Sequence, residues 1–379
     1  EYTLQPAQGD SFVNREKLLD EILSDLGDKE STIGYALYGS RRVGKTSVFR
    51  EVQRRLSKRK DVVVVYFSVW DLIENTMAEF CQKLSIKIIE SYSPKIGLKY
   101  KIKDLLQMPV NLLGNILDKS EFKIVFDKIE FLLSMNQKQD NDNMLIESTF
   151  DLTEKLAQHT NTKCILLIDE FPAIMELKFK DVKIGPAIIR KIRTCVENWQ
   201  YSTLCICGSI RSTMVTTAIS SASPFYRQLI VKEIMPLEKK YVGKLLSKHI
   251  DISEDAIEEI YKFSGGIPFY VQFLGKILKH HKKTDLNQIK KIQEDFLKEE
   301  GNILFREEFD YLSPKEKQIV LAIAKGNNSP SKINQATENK ISNINSFLTY
   351  LEEKGYVLKE EKGYYAIADP VFRRWLEGK

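Results

Sequence analysis

Gly39-Ser-Arg-Arg-Val-Gly-Lys-Thr46 decides the fold. The stretch fits G-x-x-x-x-G-K-[ST], the loop that cradles nucleotide phosphates. Its surroundings are what that loop needs. Ile33–Tyr38 reads as a short apolar strand, and Ser47–Lys58 as an amphipathic helix with Val48, Val52 and Leu56 at spacings of four. Gly39 and Gly44 permit a tight turn and close approach to an anion, so backbone N–H groups and a helix N-terminus face it. Lys45 is placed to reach the β- and γ-phosphates and the Thr46 hydroxyl to ligate Mg²⁺. Ser40, Arg41, Arg42, Val43 and Ser47 complete the expected cradle. A plain glycine-rich turn would not need a strand before it and a helix after it.

A second anchor lies downstream. Cys164-Ile-Leu-Leu-Ile-Asp-Glu170 is an apolar strand ending in two acids, and in open α/β folds ligands bind at such carboxyl ends. Asp169 is expected to hold Mg²⁺ through its water shell, and Glu170 to orient and polarise the attacking water. On its own the pattern is weak. Downstream of a P-loop it is strong.

Further strands are read at Asp61–Trp70, a nearly unbroken β-branched and aromatic run suited to burial on both faces, at Leu204–Cys207, and at Leu229–Ile234. Helices separate most of the five, which predicts an α/β sheet covered on both sides. Leu204-Cys-Ile-Cys-Gly-Ser209 ends in a polar tip, making Ser209 a candidate sensor of the γ-phosphate with Arg211 just beyond; a simple strand-to-loop turn is the other reading. Arg227, in Pro224-Phe-Tyr-Arg227, either acts on γ-phosphate charge in cis or from a neighbouring subunit, or is a surface arginine.

The chain has 379 residues, room for two or three domains, and its 43% hydrophobic content suits a sizeable core. A net charge of +5 neither demands nor excludes nucleic acid. Its five cysteines read as free, mostly buried thiols, and no cysteine–histidine spacing suggests zinc. With neither a leader pattern nor an apolar run of about 18 residues, no membrane partner is expected and the location reads as cytoplasmic.

Before the P-loop, Phe12-Val-Asn-Arg-Glu16 leads into a helix through Leu26, with Asn14 the expected N-cap. Between the second strand and the acidic one, residues 95–143 form a Lys-rich, mostly helical excursion that either docks a partner or is an ordinary insertion. After Pro236 the pattern is helical, with a sharp break at Gly265-Gly-Ile-Pro268. From residue 308 onward, three helices and a hairpin around Glu360-Glu-Lys-Gly follow the order of a winged helix. The expected units are residues 1–235, 236–307 and 308–379. The last holds 11 Lys/Arg against 10 Asp/Glu, a near-neutral balance for a DNA binder. The exposed face of its third helix, with Asn339, Lys340, Ser342, Asn343, Asn345 and Ser346, suits base or phosphate contacts and equally suits solvent.

These segments, in order and with Tyr365-Ala-Ile-Ala-Asp-Pro370, resemble the archaeal ATPase family, a STAND-class branch of the P-loop NTPases related to AAA+ and to the Orc/Cdc6 initiators. The resemblance spans nearly the whole chain. It implies an ASCE-type ATPase core with a five-stranded, mostly parallel sheet, an all-α lid and a C-terminal winged helix. It also implies that Val13, Asn14 and Arg15 flank the adenine and that Pro268 touches the nucleotide from the lid. Asn14 stands where the family usually has glycine, and Arg227 follows Pro224-Phe-Tyr without an intervening glycine. The leading expectation of function is a slow Mg²⁺-ATPase switch that binds ATP or ADP, with double-stranded DNA as the partner expected of the winged helix. A non-hydrolysing nucleotide-dependent scaffold that binds protein, or associates with itself, is the alternative.

Overall fold

A computed structural model describes residues 2–97, 142–209, 214, 217, 220, 222–280, 285–337, 343–360 and 363–379. The expected insertion at 95–143 lies almost wholly outside the described residues, as does Arg211.

All five expected strands form, and they make one sheet. β1 (Gly34–Tyr38), β2 (Val62–Ser68), β3 (Lys163–Asp169), β6 (Ser202–Gly208) and β7 (Leu229–Glu233) lie in the order β2-β3-β6-β1-β7, every neighbouring pair parallel. A parallel sheet needs crossovers, so helices cover both faces. α1 (Glu16–Gly27) and α2 (Lys45–Leu56) pack on one face over Tyr35, Leu37, Tyr66, Leu167 and Cys205. α3 (Met77–Tyr92), α4 (Asp142–His159) and α5 (Gly185–Val196) cover the other, over Ala36, Val65, Leu166 and Ile206. The alternation of these residues between the two cores is the period of two that defines a strand.

Local details depart from expectation. Helix α1 begins at Glu16 behind Arg15, whose φ is 76°, so Asn14 is not its N-cap. Asn14 itself has a φ of 67°, and its Oδ1 accepts from the Arg15 N–H rather than from a helical N–H. After Glu170 the chain forms a 3₁₀ turn, Phe171–Glu176, and a small hairpin, β4 (Lys178–Phe179) with β5 (Val182–Lys183). All five cysteines are free.

The helical region contains α6 (Lys239–Leu246), α7 (Glu254–Ser264), α8 (Pro268–Leu278), α9 (Leu286–Lys298) and α10 (Glu300–Asp310). α11 (Pro314–Ala324), α12 (Pro330–Ala336), α13 (Ile344–Glu353), the hairpin β8–β9 (Val357–Lys359 with Tyr365–Ile367) and α14 (Pro370–Glu377) follow in winged-helix order. Ser313 closes a capping box with Glu316 at the start of α11, and the Ser253 side chain caps α7.

The division expected between residues 307 and 308 falls inside α10. Lid and C-terminal unit share one apolar core, because the ring of the fully buried Phe305 of α10 packs, tilted, 5.2 Å from that of Phe372 and 6.0 Å from that of Trp375, with Tyr270 of the lid 6.4 Å away. Aromatic burial of this kind contributes about 1.5–3 kcal/mol per ring. Among the described residues, no helix is long and apolar enough to cross a membrane.

Candidate nucleotide site

Strand order builds the site. β6 lies between β1, which leads into the P-loop, and β3, which carries the acids, so the carboxyl ends of all three converge. Lys45, Asp169, Glu170 and Ser209 meet there.

The P-loop bends sharply between β1 and α2. A Cβ on Gly39 would lie 2.4 Å from the Ile234 carbonyl, and Gly44 has a φ of 94°, so neither position accommodates a side chain without strain. Lys45 is almost fully buried at the first turn of α2, its Nζ donating to the carbonyls of Gly39 (3.1 Å) and Ser40 (2.9 Å). Burial lowers its pKa, while the charge of Glu170 opposes that shift. An ammonium held this way inside a backbone cradle is suited to an incoming polyphosphate, and residues 39–46 fit a nucleotide and its metal.

Asp169 points to the P-loop face of β3 with both oxygens occupied. Oδ1 accepts from the Glu170 N–H (2.9 Å) and the Cys207 thiol (2.7 Å), and Oδ2 accepts from the Tyr66 hydroxyl (2.6 Å). Burial and the charge of Asp169 push the Cys207 and Tyr66 pKa values well up, so both remain donors. Glu170 follows with a φ of 50°, which turns its carboxylate away from the strand, and Oε2 accepts from Ser209 Oγ at 3.1 Å. Its pKa is raised by burial first, against the attraction of Lys45. A carboxylate with raised basicity, hydrogen-bonded to a serine hydroxyl beside the loop, suits general-base chemistry.

Other expected site residues are placed differently. Arg15 reaches the P-loop, but it grips the protein rather than an open face: its guanidinium donates to the carbonyls of Val43 (2.7 Å), Gly44 (3.3 Å) and Met235 (3.0 Å), and burial lowers its pKa to about 10. Val13 packs against the lid core. Ser47 faces the N-terminal segment, its Oγ accepting from the Ala7 N–H at 3.0 Å. Thr46 is half-buried beside Lys45. Pro268 opens α8, and from this corner it is Phe269 whose ring faces Arg42, 5.9 Å from the guanidinium carbon.

Arg227 lies away from these groups. Leu229 pairs with Gly34, so Arg227 sits at the amino-terminal edge of the sheet, opposite the P-loop. At about 3.3 Å per strand residue the separation is on the order of 15–20 Å, which excludes action in cis. Its guanidinium lies over its neighbour Tyr226.

Arg41 and Arg42 turn toward the C-terminal unit. Arg42, with a φ of 63°, donates from Nη2 to Glu308 Oε1 at 2.9 Å and lies 3.8 Å from Asp369 Oδ2; Arg41 pairs with the same Glu308 oxygen at 3.3 Å. Asp369 also caps α14 through the Val371 and Phe372 N–H groups and accepts from the Tyr270 hydroxyl. Tyr66, Cys207, Glu308 and Asp369 were not among the expected site residues. Only Asp369 carried a sequence signal, as the acid before a helix-opening proline in Tyr365–Pro370.

A β1–P-loop–α2 unit with the acidic strand separated from it by one inserted strand defines an ASCE-type P-loop NTPase. The model of a family described as an ATPase domain predominantly from Archaea matches residues 12–274, and the chain belongs to that family. Uncharacterised ATP-binding proteins of Methanocaldococcus jannaschii are similar: MJ0074 is 25% identical over 318 residues, 80% of each chain, and MJ1010 is 26% identical over 346 residues, 82% of each. Among solved structures, the Walker-type ATPase PABY2304 of Pyrococcus abyssi covers 99% of both chains with a TM-score of 0.68 at 18% identity. The ORC2 protein of Aeropyrum pernix, in ADPNP and ADP complexes, covers 99% of this chain and 96% of its own with a TM-score of 0.55 at 11% identity.

Proposed function

We propose that the protein is a Mg²⁺-ATP switch whose P-loop reports its occupancy to the C-terminal unit. The observation that supports this most is the Arg42 contact: one residue belongs both to the phosphate cradle and to an ion pair with Glu308 and Asp369. An anion in the cradle competes with those carboxylates for the two arginines. Relatives described as ATP-binding and a fold neighbour solved with ADPNP and ADP support the choice of ligand.

In this reading the P-loop N–H groups and Lys45 bind the β- and γ-phosphates. Thr46 and, through water, Asp169 hold the Mg²⁺, which supplies charge neutralisation across the phosphates. Glu170 orients a water and accepts its proton as the γ-phosphorus–oxygen bond to ADP breaks, and Ser209 holds Glu170 in place. Arg227 serves only if a second copy presents it to this site.

The output is on duplex DNA through the face of α13, which carries Asn345 and Ser346. A protein-binding scaffold is the second reading, favoured by the exposure of Tyr350, Leu358 and Tyr364 on the same unit. Steady-state ATP hydrolysis by the parent and Glu170→Gln, with and without duplex DNA, separates them. DNA-stimulated turnover that disappears in Glu170→Gln supports the DNA-coupled ATPase. ATP binding with background turnover in both proteins contradicts it and favours the scaffold.

A further inference from the structure

Asp169 is held by neighbours that no nucleotide-binding motif names. Side chains alternate along strands, so Leu167 and Asp169 share one face of β3. Tyr66 of β2 and Cys205 of β6 both pair with Leu167. Tyr66, and Cys207 two residues beyond Cys205, therefore reach Asp169 from the two flanking strands, on the face that α2 covers. The guanidinium of Arg50, from α2, lies 3.5 Å from the centre of the Tyr66 ring. A cation over the ring fixes its orientation and strengthens its hydroxyl as a donor.

The hydrogen-bonding capacity of Asp169 is nearly filled. An ionised carboxylate offers about four lone-pair sites. The Glu170 N–H and the Cys207 thiol take the sites on Oδ1, and the Tyr66 hydroxyl takes one on Oδ2. One acceptor site on Oδ2 is left.

We propose that Tyr66 and Cys207 are positioning residues for the nucleotide's Mg²⁺, holding Asp169 so that it accepts one hydrogen bond from a metal-bound water and does not chelate the ion. This deepens the Mg²⁺-ATP reading and rests on it. Mg²⁺ suits such a site, because it gives up its waters reluctantly and keeps several when bound with phosphates. Neighbours that orient a metal-binding carboxylate typically matter about 10- to 100-fold in metal affinity.

The test is calorimetric titration of the full chain with β,γ-imido-ATP, in excess Mg²⁺ and in EDTA, for the parent, Tyr66→Phe, Cys207→Ala and Cys207→Ser. The parent binds more tightly with Mg²⁺. Tyr66→Phe and Cys207→Ala lose about tenfold of that Mg²⁺-dependent gain while matching the parent in EDTA. Cys207→Ser, which keeps a donor, retains the gain. Variants that keep the full Mg²⁺ gain, or weaken equally in Mg²⁺ and EDTA, overturn the inference alone. A parent that binds no nucleotide overturns the Mg²⁺-ATP reading and this inference with it.

Discussion

Arg42 Nη2 lies 2.9 Å from Glu308 Oε1, joining the phosphate loop to the helix on which the lid and the C-terminal unit are built. Both side chains are about four-fifths shielded from water, so the pair is screened less than a surface one. Phe269 and Phe305 sit beside the guanidinium at 5.9 and 5.5 Å. Arg42→Ala leaves Glu308 with Arg41 alone, at 3.3 Å, and removes this packing. The expected loss is about 2 kcal/mol of stability, read as a lower urea midpoint. Arg42→Lys, without the planar fork, recovers only part of it. Parent-like stability in Arg42→Ala would show that the contact is incidental.

Lys45→Ala removes the cation that the cradle's own carbonyls hold in place. ATP affinity falls at least tenfold, whereas thermal stability changes little, because the desolvation of the ammonium offsets the attraction of Glu170. Fluorescent-nucleotide titration reads the first effect and calorimetry the second. Unchanged ATP affinity refutes the cradle.

Phe305→Ala tests whether lid and C-terminal unit are one cooperative body. Its ring is fully buried between Tyr270, Phe372 and Trp375. Truncation costs about 3–5 kcal/mol, and the probes of both units shift together in denaturant. Two separated transitions, with only one moved, would contradict the shared core.

Glu51 gives a pH signature. It accepts from Arg54, Arg55 and the Gly9 N–H, and hydrogen bonding to Arg54 heads the causes that hold its pKa down at about 2. A depressed carboxylate stabilises the fold above its unfolded value of 4.5 and loses that contribution as pH falls toward 2. The stability difference between parent and Glu51→Gln is therefore constant above about pH 5 and shrinks through that window. A difference that does not change with pH would contradict the assignment.

Glu170 shifts the other way. Burial raises its pKa, so a base that must be ionised loses activity on acidification at a pH above the ordinary glutamate value. The acidic limb of the kcat profile sits correspondingly high. A limb at or below pH 4.5 would show that another group takes the proton.

The sheet was legible because each strand is a short, largely apolar run and the P-loop has a spacing that chemistry enforces. Lys45, Asp169, Glu170 and Ser209 were legible for the same reason: each ends a strand or opens a helix at one edge. Arg227 was not, since its position depends on the direction of β7, which the local sequence leaves open. The continuity of α10 was also hidden, because Glu299 alone separates it from α9 and its first residues read as the end of that helix. Glu308 and Asp369 were invisible as P-loop partners: 266 residues separate Glu308 from Arg42, and only packing brings them together.

Hydrogen exchange of residues 300–310 and 365–377, with and without Mg²⁺ and β,γ-imido-ATP, tests the coupling most directly. The account predicts that nucleotide changes protection in both segments of the parent, and that Arg42→Ala, still binding nucleotide, loses this response. Nucleotide binding that leaves both segments of the parent unchanged would contradict it.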